Sequence, residues 1–87
     1  MNDVKKLVAQ MLKEIKQKRD ELKVQVHLAK LDAGDEWKNI EEKFHRFEAK
    51  SKELGHATAQ SSSEIGAAAK RLGEEILEGF KNIGRHL

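Results

Sequence analysis

From Val4 to Leu54 the apolar side chains return every three or four residues. They are Val4, Val8, Met11, Ile15, Leu22, Val26, Ala29, Ala33, Trp37, Ile40, Phe44, Phe47 and Leu54, with seven-residue gaps after Ile15 and after Phe47. This is the period of one helix face, and no segment alternates with the period of two that a strand requires. Within the stripe, Val4, Ile15, Val26 and Trp37 lie eleven apart, as do Met11, Leu22, Ala33 and Phe44. An eleven-residue spacing is close to that of a straight helix. The chain contains no proline, so nothing enforces a break. The fold class is all-α.

Gly34 decides how many helices there are. The stripe passes it without losing phase, and a glycine inside a helix costs only about 1 kcal/mol against alanine. The spacing therefore predicts one long amphipathic helix over about 3–54. The alternative is a three-helix bundle with a break at Gly34, in which Gly34 caps one helix and Asp35 opens the next. A firmer break falls at 55–63, where Gly55 is followed by Ser61, Ser62 and Ser63. Ser61-x-x-Glu64 has the form of a capping box. A second helix follows over about 62–86, with Ile65, Ala68, Ala69, Leu72, Ile76, Phe80, Ile83 and Leu87 on one face. Folded back as an antiparallel hairpin, the two helices predict a core of Trp37, Ile40, Phe44, Phe47, Ile65, Leu72, Ile76, Phe80 and Ile83.

Length then points to a partner. At 1.5 Å per residue the first helix spans about 75 Å and the second about 36 Å. A hairpin of that shape leaves Val4, Val8, Met11, Ile15, Leu22 and Val26 bare. Isolated helices are rarely stable without a packed face. These six residues are thus the expected oligomer interface, and the expected assembly is a dimeric or tetrameric helix bundle.

Composition fits this reading and excludes others. Charged residues make up 37% of the 87 residues and aromatics 5%, the mixture of long amphipathic helices. Such a length allows one small domain, 1–87. With no cysteine there is no disulfide, thiolate metal site or thiol nucleophile. The net charge is +2. Residues 1–31 carry a surplus of four positive charges and residues 32–54 a surplus of two negative ones, a distribution suited to antiparallel self-pairing. The densest basic patch is Lys13, Lys16, Lys18, Arg19 and Lys23, interleaved with Glu14, Asp20 and Glu21 and lacking aromatics. It reads as a solvated helix flank with a Glu14–Lys18 pair, not as a nucleic-acid surface. The first residues have no apolar run of signal-peptide length and no segment is a membrane span, so the expected location is cytoplasmic.

Catalytic and metal-binding patterns are weak. Glu42-x-x-His45 has the spacing found in di-iron helix bundles. Phe44 and Phe47 on the inward face turn His45 to the flank, so the pair reads as solvated. His27, His56 and His86 share no ligand spacing. No Ser-His-Asp set stands in a plausible order, and no glycine-rich loop follows a strand. The expectation is a protein that is not an enzyme and holds no metal or cofactor. The second helix is rich in small residues. Gly66, Ala69 and Gly73 share a face that lets another helix approach closely. Lys70, Arg71, Lys81 and Arg85 flank its apolar stripe, a pattern that also suits an amphipathic helix on a lipid surface.

The segments DEWKNIEEKFHRFEAKSKEL (Asp35–Leu54) and GAAAKRLGEEILEGFKNI (Gly66–Ile83) resemble small bacterial coiled-coil proteins described as stress-response proteins. The resemblance implies a helical-hairpin architecture and a stress-linked role, and carries no catalytic residues. Taken together, the expected function is a non-enzymatic, self-associating structural or protein-interaction module, with a peripheral lipid-surface protein as the alternative.

Overall fold

The structure is a computed structural model that describes residues 2–29 and 34–85. Ala33 and Leu87 of the stripes above lie outside these, as do His86 and any cap preceding Gly34, and the side chain of Ala29 is not described. Among the described residues the chain is entirely helical and has no strand. Helix α1 spans Asn2–Ala29, α2 spans Gly34–Gly55 and α3 spans Ala59–Gly84.

Three pairs of neighbours fix the directions. Arg19 of α1 bonds Glu41 of α2, and Lys16 lies 3.9 Å from Glu48, so α1 and α2 are antiparallel. Gly79 and Gly73 of α3 face Ile40 and Phe47 of α2, so these two are antiparallel as well. Gly66 and Gly73 face Val4 and Met11, so α3 runs parallel to α1. The fold is an up-down-up three-helix bundle, the alternative with its break beside Gly34.

The single helix over 3–54 is therefore corrected. In such a helix Arg19 and Glu41 would stand about 33 Å apart; here their side chains are 2.7 Å apart. Folding back closes a short connection of low entropic cost. In return α1 buries its stripe inside the chain. Gly34 is the first residue of α2, with Asp35 and Glu36 in the first turn, where acidic side chains favour the helix dipole.

The start of α3 is corrected too. The helix begins one turn earlier than the 62 expected, and its N-cap is Thr58 at φ −73°, ψ 170°. The Ser61 amide donates to Thr58 Oγ1 at 3.3 Å, and the Thr58 amide donates to Ser61 Oγ at 3.1 Å. The capping box is thus Thr58-x-x-Ser61 rather than Ser61-x-x-Glu64. A serine hydroxyl at the third helical position fills the role that glutamate or glutamine more often takes. The α2–α3 connection shrinks to three residues, closed by Ala57 N–H on Leu54 O at 3.1 Å. Lys5 Nζ donates to Ala57 O at 3.4 Å and ties the start of α1 to this turn.

The core takes residues from all three helices. Val8, Met11 and Ile15 come from α1, Ile40, Phe44, Phe47 and Leu54 from α2, and Ala69, Ile76, Phe80 and Ile83 from α3. Val4, Leu12, Leu22, Val26, Trp37, Ile65, Leu72 and Leu77 pack on its margin. The N-terminal stripe is not bare in the single chain, as the hairpin had implied; α3 lies along it.

Candidate interaction surface

Glycines in α3 set how closely the helices approach. A Cβ on Gly66 would lie 2.6 Å from Val4 Cγ2, and one on Gly79 would lie 3.0 Å from Ile40. Gly73 is the junction of all three helices: its missing Cβ would overlap Met11 Cε of α1 and come within 3.1 Å of Phe47 Cε1 of α2. The small residues at Gly66, Ala69 and Gly73 thus admit a neighbouring helix, and that helix is α1 of the same chain.

Of the six residues expected at an oligomer interface, Val8, Met11 and Ile15 are buried, and Val4, Leu22 and Val26 are partly buried. Among the expected hairpin-core residues, Ile40, Phe44, Phe47, Ile76, Phe80 and Ile83 are buried, while Trp37, Ile65 and Leu72 sit at the margin. Trp37 and Phe80 stack with ring centroids 6.3 Å apart.

Beside this core lies a polar clasp that the sequence did not reveal. Arg19 Nε and Nη2 donate to the two carboxylate oxygens of Glu41 at 2.7 and 2.8 Å, a two-pronged bond with both groups half-buried. The guanidinium also lies 4.8 Å over the Phe44 ring. Its hydrogen bonds hold the Glu41 carboxyl below its ordinary range, against the opposing effect of burial. Arg19 is held protonated still more firmly for the same reason. By spacing, Arg19 belonged to a solvated basic flank. Only the fold of α1 back onto α2 supplies its partner, so no local signal marks it. Lys18 pairs with Glu14 at 3.7 Å along α1.

The Glu42–His45 pair, whose spacing has the form of a metal motif, lies on the surface. His45 is 70% exposed, 4.0 Å from Glu48, and Glu42 is exposed. Among the described residues no three His, Asp or Glu side chains gather as metal ligands would, and no helix is long and apolar enough to cross a membrane.

The outer face of α1 carries what the core does not use. Val24 is 58% exposed and Leu28 74%. They are one turn apart and point away from the side that buries Ile15, Leu22 and Val26. Among the described residues nothing in the chain covers them. Leu7, 39% exposed, lies nearer the N-terminal end. No known protein family, characterised protein or solved structure matches this chain.

Proposed function

We propose that this protein is a non-enzymatic helical module that works by association, with a second copy of itself and through it as a structural or protein-interaction element. The observation that carries this reading is the Val24–Leu28 ridge. Two of the larger apolar side chains of a small chain stand on adjacent turns, on the face opposite its core. A domain of this size buries a modest share of its surface, and association adds to it. The stress-linked setting implied by the resemblance belongs to the same proposal.

Light scattering over a concentration series tests it. The wild type gives a mass that rises toward twice 9.9 kDa, and a Val24→Lys/Leu28→Lys variant stays monomeric longer while keeping its fold. A wild type that remains monomeric throughout refutes the reading. The alternative, helices laid on lipid, is supported by the eleven-residue spacing. It requires that most helicity appear only on adding vesicles, and circular dichroism in buffer alone separates the two.

A further inference from the structure

We infer that the inner face of α1 is an exchangeable interface, and that two copies of this chain assemble by trading α1 to form a domain-swapped dimer. The proposal concerns the core-facing stripe and goes beyond the outer ridge discussed above.

Three observations meet here. First, the apolar stripes of α1 and α2 are in helical phase along the sequence: Val26, Ala29, Ala33 and Trp37 continue the steps of three and four. A pair of helices meant only for a closed turn has no need of such continuity, whereas a single helix over 2–55 demands it. Second, no proline opposes that helix. A Cβ on Gly34 meets nothing within 4 Å. Third, α1 and α2 are antiparallel. Straightening the connection therefore sends α1 away from its own α2–α3 pair, along a line antiparallel to the same element of a second copy. Each α1 then lies on the partner copy's α2–α3 pair in the geometry seen here.

The contacts that α1 makes with α2 and α3 in the closed chain are regained between copies. Val4 on Gly66, Met11 on Gly73 and Arg19 on Glu41 become contacts between copies, whereas Trp37 on Phe80 and Lys43 with Glu75 stay within one copy. Exchange of an identical element is a low-cost route to a dimer because no new surface has to be matched. The balance is then set by the connection alone. The closed form has the advantage of an effective concentration on the order of millimolar, and the open form gains an uninterrupted helix. Exchange requires α1 to leave its core, so the two forms interconvert slowly and are set by the concentration at which the chain folds.

The test uses the Val24→Lys/Leu28→Lys background, so that association through the ridge does not contribute. Protein refolded at about 1 mM and at about 10 µM is compared by size exclusion with light scattering and by small-angle X-ray scattering. The expected result is a dimer fraction that grows with refolding concentration and persists on dilution. Its longest dimension is about 80 Å, set by a 54-residue helix, against 46 Å for the single chain. Gly34→Ala raises the dimer fraction. Gly34→Pro, tolerated as the first residue of α2 but not inside a helix, lowers it by about a hundred-fold or more.

Mixing supplies the decisive readout. Arg19→Glu and Glu41→Arg chains each lose the clasp alone. Refolded together they form a mixed dimer in preference to either homodimer, because both clasps are then complementary. Monomer alone after refolding at about 1 mM overturns the exchange. So does a dimer no longer than about 50 Å, or one indifferent to Gly34→Pro and without preferential mixing. Association of the wild type that vanishes in the lysine background would leave the proposed function standing and the exchange refuted.

Discussion

Gly73→Ala is the substitution whose sign depends most directly on the packing of α1. On an exposed helix face, exchanging glycine for alanine stabilises by about 1 kcal/mol, through backbone entropy. At Gly73 the new methyl enters the three-helix junction, onto Met11 Cε and 3.1 Å from Phe47 Cε1. The methionine tip can swing aside. Phe47 is 0% exposed and cannot swing aside without leaving the core. Overpacking of this kind costs about 1–3 kcal/mol, which exceeds the helix gain. The net loss is about 1 kcal/mol, or about 4–8 °C in melting temperature for a chain this size. Met11→Ala alone leaves a cavity and costs about 2–4 kcal/mol. Combined, the two changes relieve each other, with a coupling of about 1–2 kcal/mol read from a double-mutant cycle of chemical denaturation. A Gly73→Ala protein more stable than the wild type, or strict additivity with Met11→Ala, would place α1 somewhere other than on α3 and refute the bundle register.

Other expectations follow from the same contacts. Glu41 has its pKa lowered in the folded state, so the clasp stabilises above the ordinary carboxyl value of 4.5 and fades as pH falls through the folded value. The stability difference between wild type and Glu41→Gln, from urea midpoints, is therefore level near neutrality and shrinks below pH 4.5; a difference independent of pH would refute the clasp. Thr58→Ala removes the N-cap of α3 and costs about 1 kcal/mol, whereas Glu64→Ala, the partner in the expected Ser61 box, has little effect. Trp37 is only partly buried against Phe80, so Phe80→Ala red-shifts Trp37 emission and lowers stability by about 3–5 kcal/mol.

Much of the core was legible in one dimension, because helical period alone sorts residues onto faces. Ile40, Phe44, Phe47, Ile76 and Phe80 are buried where steps of three and four put them, whereas Val8 and Ile15, on the stripe expected to face another copy, are buried inside the single chain. The start of α3 was misread by one turn because Thr58 and Ser61 are both competent caps, and the choice rests on hydroxyl–amide geometry a few ångströms across. Val24 and Leu28 fall off the stripe, and being apolar and off the stripe is itself the mark of an exposed ridge.

The sequence by itself determined that the chain is helical and which side of each helix is apolar, since both follow from local spacing and the lack of proline. It placed the turn after Gly55 but did not determine that the chain also turns back beside Gly34. A stripe in unbroken phase suits one long helix and still permits two that fold together, and the local cost of a glycine is too small to decide. The tertiary structure decided it: α3 offers glycines wide enough apart to seat Val4 and Met11 as well as Phe47 and Ile40. Burying both stripes against one helix within a single chain outweighs the entropic cost of closing the connection. The Arg19–Glu41 clasp is a product of that choice, because its two members are neighbours only once α1 lies against α2.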